Sequence, residues 1–507
     1  MRKLPLFSRS WLFCYYRKRS RFAQALSLWP GQVSLDEGWR MWCAYRLGLY
    51  RSVAQGHWDG RHLEGGLAYT ASLAANGDLQ AARNVIDRFG EKLRNGRKAF
   101  RSAQILAPHA PALALEILEG VSEFSEASLS FRIALLHRCS RTTEARALME
   151  WAIARAGGLS RLAQRDTELY LWASLLLEGG TPASQCANLN GYWNARGLSP
   201  VSLIDSQRSP SAVNVTPKGA IAPVNGPLIS VLMTSYNAES RVTQALRSLL
   251  QQSYRNIEII VVDDASTDNS VEAIKAVAHS DDRVRYMTLP CNGGPYVAKN
   301  IAYREARGVF IMCHDADDWS HPMRLEHQVA PLLNDERLVA STSCWVRVRD
   351  DGVYHARSTY PLIRLNPSSP MVRREGGIDL MGPWDAVRTG ADSEFLARLK
   401  LYFGAHAVRR LSAMMALGAH HSASLMNAAD TGYSPQGQSP QRLAYWEAWT
   451  KWHIAELRER RRPMMPGVDA HGQGKRPFPV EPEMIVPPSV IKQAVAMAGK
   501  AGEEWEA

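Results

Sequence analysis

The chain has 507 residues, a formal net charge of +11, a hydrophobic fraction of 46% and a charged fraction of 21%. That length exceeds one ordinary core and points to two or three domains, and the composition excludes a wholly disordered chain. The charge admits an anionic membrane, a phosphate-bearing substrate or nucleic acid, but no nucleic-acid-reading motif accompanies it, so no nucleic-acid partner is expected.

The positive charge gathers at the start. Arg2, Lys3, Arg9, Arg17, Lys18, Arg19 and Arg21 precede the first acidic residue, Asp36, and Trp11, Phe13, Tyr15 and Tyr16 lie among them. Aromatic and cationic side chains mixed this way suit peripheral association with the cytoplasmic face of an inner membrane; a plain basic terminus has the same composition. Arg9 interrupts the apolar run that a signal peptide needs. No stretch reaches the ~20 apolar residues of a membrane span. The 7 cysteines are scattered without a C-x-x-C pair. That pattern suits a reducing, cytoplasmic compartment and argues against a zinc site or disulfide framework.

From residue 22 to about 200 the sequence reads as helices, rich in Ala, Leu, Arg and Glu. Turn-then-helix signals recur at Ala75-Asn76-Gly77-Asp78, Pro108-His109-Ala110-Pro111 and Cys139-Ser140-Arg141, each followed by an alanine-bearing helix start. Ala81, Ala114 and Ala145 mark a period of about 32 residues, that of tetratricopeptide-like helical hairpins; a nonrepetitive bundle fits almost as well. Such a region, within a 1–204 domain, is expected to fold by itself and offers a surface for a protein partner. Residues 205–226 collect Ser, Pro and Gly and read as a linker.

From Pro227 strands alternate with helices. Leu228–Thr234, Ile257–Val262, Val284–Leu289 and Val309–Cys313 are apolar, β-branched runs. Between them, 242–250, 271–278 and 296–306 carry helical spacing. This alternation predicts βαβ units and a largely parallel sheet, with ligands bound beyond the carboxyl ends of its strands. The domain is expected to span 227–430, with 431–507 supplying C-terminal helices and a Pro-rich, extended or disordered tail from about 463.

Polar clusters stand at those strand ends: Thr234-Ser235-Tyr236-Asn237, Asp263-Asp264-Ala265-Ser266-Thr267-Asp268 and His314-Asp315-Ala316-Asp317-Asp318. Asp315 and Asp317, two apart on extended chain, point their carboxylates the same way. Such oxygen ligands suit Mn²⁺ or Mg²⁺, which in turn would face phosphate oxygens. An acidic helix-capping loop would look alike.

In this order, Met233-Thr234-Ser235-Tyr236-Asn237, Val262-Asp263-Asp264-Ala265-Ser266-Thr267-Asp268, Asn292-Gly293-Gly294 with Ala298-Lys299-Asn300, and Asp315-Ala316-Asp317-Asp318 resemble the nucleotide-binding half of family 2 glycosyltransferases of the GT-A fold. Lys299 stands where that family more often has Arg. The resemblance implies a Rossmann-like mixed α/β sheet and inverting transfer of a sugar from a nucleotide-diphosphate donor. The acceptor it implies is a glycan or lipid-linked glycan, in lipopolysaccharide, capsule or other surface polysaccharide synthesis. It would place Thr234, Tyr236, Asn237 and Asp264 around the base and ribose, Lys299 near the nucleotide or its diphosphate, Asp315 on ribose or metal, and Asp317 on the metal. Gly390-Ala391-Asp392-Ser393-Glu394 resembles the family's base segment. Asp392 fits the base position, Glu394 is its rival, and a plain helix cap is the alternative to both. Trp345, Trp384, Tyr354 and Tyr360 are candidates for stacking on sugars, and His420 or His421 for completing the metal shell.

Two further readings stand beside this one. A nucleotidyltransferase expects a Gly-rich loop after the first strand, where this chain has Tyr236-Asn237-Ala238-Glu239. A binding scaffold without turnover would not require the three carboxylates Asp315, Asp317 and Asp392. A processive synthase is disfavoured by the absence of membrane spans in the sequence and of a Q-x-x-R-W segment.

Overall fold

A computed structural model describes residues 6–28, 37–93, 96–120, 129–177, 179–356, 359–425, 432–434, 437–469 and 471–500. The expected helices come as antiparallel hairpins. Leu63–Ala75 pairs with Leu79–Phe89, Gly96–Leu106 with Pro111–Glu119, Leu129–Arg138 with Thr142–Ala156, and Leu169–Leu176 with Pro182–Asn194. Local chemistry sets the starts: Asp78 accepts from the Ala81 N–H at 2.9 Å, and Thr181 caps a helix that opens on Pro182. The recurring alanines lie where helices touch. Ala82, Ala114 and Ala145 are each 0% exposed. The repeat reading marked Ala81, one residue early; Ala81 is only half-buried.

The 205–226 stretch is not a loose tether. Val201–Leu203 pairs antiparallel with Val215–Pro217, and the turn between them is knit by Asn214, whose amide donates to the carbonyls of Asp205, Arg208 and Ser209. Residues 205–208 at the tip of that turn and 218–225 beyond it run largely exposed.

The second half is built on a mixed sheet. Its strands are β1 (Ile229–Ser235), β2 (Ile257–Asp263), β3 (Val284–Thr288), β4 (Phe310–Asp315), β5 (Trp319–Ser320), β6 (Ala340–Val348), β7 (Tyr354–His355), β8 (Arg364–Leu365), β9 (Met371–Arg373) and β10 (Val408–Ala419). The order is β3-β2-β1-β4-β9-β6-β10-β5, with β7 and β8 paired to β6. β3, β2, β1 and β4 run parallel; β9 enters antiparallel between β4 and β6. Helices α1 (Val242–Leu250), α2 (Ser270–Ala278), α3 (Pro295–Glu305) and α4 (Arg324–Asn334) connect the strands. They are followed by α5 (Ala391–Phe403), α6 (Pro440–Arg458) and α7 (Pro488–Lys500). Every residue of β2 is buried, which explains its nearly continuous apolar run.

The helical half and the sheet share one core. Phe131, Trp172 and Trp193 belong to the same buried cluster as Val346, Val348, Met414 and Leu417. Trp193 Nε1 donates to the Met414 carbonyl at 3.0 Å, and Tyr192 OH accepts from the Met414 N–H at 2.9 Å. Buried Glu168 accepts from the N–H groups of Leu362 (2.9 Å) and Ile363 (3.2 Å). At the other end Glu447 on α6 accepts from the Arg51 N–H at 2.6 Å and Ser52 Oγ at 3.0 Å. Residues 22–200 therefore share part of their core with the sheet.

Nor is the Pro-rich tail loose between 463 and 500. Met465, Met484, Val486 and Ile491 are buried in the core behind α3 and α5. Among the described residues, no helix is long and apolar enough to cross a membrane.

Candidate functional site

The carboxyl ends of β2, β1 and β4 lie side by side, since Ser235 pairs with Asp263 and Thr234 with Asp315. The turn after β1 puts Asn237 at φ 47°, and the turn after β2 puts Ala265 at φ 62°. The two loops then brace each other. Asn237 Oδ1 accepts from the Thr267 N–H at 2.8 Å, and its own N–H donates to Ser266 Oγ at 2.9 Å. Asn237 therefore shapes the loop. Tyr236 beside it is 51% exposed and free to face a ligand.

Asp264 builds the neighbouring corner. Its two oxygens accept from the N–H groups of Gly293 and Gly294, both at 2.7 Å. Gly294, at φ 80°, turns the chain into α3. Burial raises the Asp264 carboxyl to about 6, against the opposing pull of those two amides.

Three residues converge beyond β4. Lys299 Nζ donates to Asp392 Oδ1 (3.1 Å) and Oδ2 (3.2 Å) and lies 3.6 Å from Asp315 Oδ1. Lys299 is 1% exposed. Burial disfavours its charge, yet Asp392 and Asp315 outweigh this and hold the ammonium well above the usual lysine range. It is thus locked between two carboxylates, and the expected approach to a diphosphate is not what the geometry presents. Asp392 Oδ2 also accepts from Tyr296 OH (3.1 Å) and Ser368 Oγ (2.8 Å). Neither Tyr296 nor Ser368 was marked by sequence reasoning; α3 periodicity alone would have put Tyr296 on the face of Lys299, three residues on.

Asp392 is not a cap. Gly390 holds the N-cap position at φ 92° without a side-chain bond, and Asp392 is the second helical residue. Glu394 has another task. It is fully buried, accepts from Arg398 Nε at 2.8 Å and pairs with His453 Nε2 at 3.1 Å. Burial would raise its carboxyl, but Arg398 and His453 hold it below the usual range. Arg398 in turn donates to the carbonyls of Met381, Gly382 and Pro383. This is a structural ion pair closed to a substrate.

Asp317 meets His421, with Oδ2 and Nε2 2.9 Å apart and about a quarter of each side chain exposed. The two side chains are hydrogen-bonded to each other at this distance, and a carboxylate with an imidazole would together supply ligands for Mn²⁺ or Mg²⁺. Among the described residues no three His, Cys, Asp or Glu side chains group tightly enough for a closed cage. An open set of two protein ligands suits a cation completed by phosphate oxygens and water. Asp318 faces inward: it is 6% exposed, accepts from the Ala419 N–H at 3.0 Å, and burial raises its carboxyl well above the usual range. Beside His421 opens a cavity of about 390 Å³ lined by Arg349, Asp350, Asp351, His420, His421 and Ser422. His420 itself stacks on His355, with ring centroids 3.9 Å apart. Of the aromatic candidates, Trp384 stacks on Phe395 in the core, Tyr354 is buried and Tyr360 packs on Phe131; Trp345 stays partly exposed.

Residues 230–392 match the family model for glycosyl transferase family 2. An uncharacterized glycosyltransferase of Haemophilus influenzae is 43% identical over 112 residues, 22% of this chain and 45% of the relative. The UDP-Glc:alpha-D-GlcNAc-diphosphoundecaprenol beta-1,3-glucosyltransferase WfgD of Escherichia coli is 37% identical over 108 residues, 21% of this chain and 42% of the relative. Each match spans less than half the length of the relative. Among solved structures, S. aureus TarS residues 1–349 in complex with UDP-GlcNAc align with 21% identity over 45% of this chain and 65% of that one, at a TM-score of 0.35.

Proposed function

The chain carries a glycosyltransferase family 2 domain at residues 230–392, and on that premise we propose that it transfers a sugar from a nucleoside-diphosphate donor to a hydroxyl of a glycan acceptor, with inversion. The observation that carries this reading is the meeting of Asp315, Lys299 and Asp392 at one ammonium. It sets the carboxylate of the base segment against the loop that would hold the diphosphate. Asp317 and His421 would hold the divalent cation, which when bound supplies positive charge beside the leaving diphosphate.

Asp392 takes the acceptor proton in this reading. The acceptor oxygen bonds to the anomeric carbon, the carbon–oxygen bond to the diphosphate breaks with its electron pair, and the hydroxyl proton passes to the carboxylate. Tyr296 and Ser368 both bond Asp392 Oδ2, so Oδ1 is the oxygen with more room for an incoming proton. Tyr236, exposed beside the β1 end, would cover the ribose or base. The name of WfgD records a UDP-sugar donor and a diphosphoundecaprenol-linked acceptor, and this supports a UDP-sugar and a lipid-linked surface-glycan acceptor here. A basic, aromatic first helix, with Trp11 64% exposed, suits peripheral contact with the membrane where such an acceptor resides.

Release of nucleoside diphosphate from a panel of nucleotide sugars with Mn²⁺ tests the reading. Asp392→Asn should lower the rate on the order of 10²–10⁴-fold while the Kd for UDP stays within about threefold. A variant that turns over at the wild-type rate would remove Asp392 from the role. A wild-type chain that binds UDP but releases none from any donor would favour the scaffold reading.

A further inference from the structure

Arg388 stands half-buried in the loop before α5, four residues ahead of Asp392. Both ends of the residue are held. Its N–H donates to the Met484 carbonyl at 2.9 Å, and its Nη1 donates to the backbone oxygen (3.2 Å) and Oδ1 (2.7 Å) of Asn292. The side chain lies along Gly294, where an added Cβ would meet Arg388 Cδ at 3.7 Å and Nη1 at 3.9 Å. The guanidinium is also close enough to bear on the Asp264 carboxylate.

This cation is at the far end of the sheet edge from the leaving group. The Asp315–Asp317 loop follows β4, Asp264 follows β2, and β1 lies between them. Neighbouring strands are about 4.8 Å apart, so the two corners are separated by roughly 10 Å. A nucleoside diphosphate with its phosphates at the β4 corner crosses β1 and brings its base to the β2 corner. There Asp264 is 3% exposed and both its oxygens serve the Gly293 and Gly294 amides. Beside that corner the half-buried cation is Arg388, bonded to Asn292.

We propose that Arg388 reads the nucleobase, donating to a base carbonyl and selecting keto bases (uracil, thymine, guanine) over amino bases (cytosine, adenine). This rests on the reading of the site as a nucleoside-diphosphate site. A guanidinium carries donors only. Uracil O4, thymine O4 and guanine O6 accept, whereas cytosine N4 and adenine N6 present N–H groups at the same edge position. An amino base would set donor against donor at that edge.

Calorimetric titration of the full chain with UDP, dTDP, GDP, CDP and ADP in MnCl₂ tests this. The wild type should bind UDP at least about tenfold tighter than CDP, or GDP than ADP. Arg388→Ala should cost the keto nucleotide about 10- to 100-fold and bring the keto-to-amino ratio within about threefold. Arg388→Lys, which keeps the charge and one donor direction, should retain part of the preference. It also serves where the alanine variant melts early. A keto preference unchanged in both variants overturns the role of Arg388 and leaves the transferase reading standing. An amino preference in the wild type overturns it as well. Failure of all five nucleotides to bind the wild type removes both.

Discussion

Two acidic residues of one helical turn divide between structure and chemistry by what surrounds them. Asp392 is reached by Lys299, Tyr296 and Ser368 at the sheet edge, with 14% of its side chain exposed; Glu394, two residues on and so on the opposite side of the helix, is sealed against Arg398 and His453. Breaking a buried ion pair leaves its partner charged and unsatisfied. Glu394→Gln should therefore cost about 3–5 kcal/mol in chemical denaturation, while the folded fraction binds UDP as the wild type does. A Glu394→Gln variant of normal stability but without turnover would return the base role to Glu394. The spacing of the two residues was readable in the sequence. Their environments were not, because Arg398 follows at helical spacing but His453 arrives from α6, 59 positions away.

At the scale of elements, the C-terminal strap was the least legible part. Its prolines admit both an extended and a disordered segment, and the sequence alone does not say which, because proline suits an extended strap that packs as well as a loose one. Here it latches the loop that leads to Asp392. Met465 donates from its N–H to the Met381 carbonyl at 3.0 Å, and Arg476 Nε donates to fully buried Asp385 at 2.8 Å. The strands and helices between 229 and 315 were legible because continuous apolar runs, buried on both faces, alternate with segments of helical spacing. Ser, Pro and Gly mark tight turns as well as tethers, and in 205–226 they form a turn as far as Pro217 and run exposed from Lys218. Gly382 tests the latch: it sits at φ 82°, and a Cβ there would come within 1.9 Å of the Met465 carbonyl oxygen. Gly382→Ala should lose on the order of 2–4 kcal/mol and expose the chain after 462 to protease. Resistance equal to wild type would mean that the strap does not hold this loop.

In the whole molecule, the helical hairpins and the sheet are joined through Glu168, a buried carboxylate that bonds backbone N–H groups of Leu362 and Ile363 and the Trp172 indole. Burial raises this carboxyl from an ordinary 4.5 to about 7. The folded state therefore keeps a proton that the unfolded chain releases above about 4.5. This contribution to stability is full below that value, is lost as pH rises toward 7, and is flat beyond. Denaturation at pH 5 and pH 8 should show a decline in the wild type that Glu168→Gln reduces. Equal declines in both would show that Glu168 does not couple the two halves to pH. Helical spacing was legible in this half, but nothing local announced that it would close on β10, since Tyr192 and Trp193 lie more than two hundred positions from Met414.

In the proposed function Asp317 and His421 would hold a divalent cation against a nucleoside diphosphate. Titration of UDP into the wild type with and without Mn²⁺, and into Asp317→Ala and His421→Ala, tests it most directly. Mn²⁺ should tighten UDP binding to the wild type by at least about tenfold, and this gain should disappear in Asp317→Ala and shrink in His421→Ala. A gain of the same size in Asp317→Ala would contradict it.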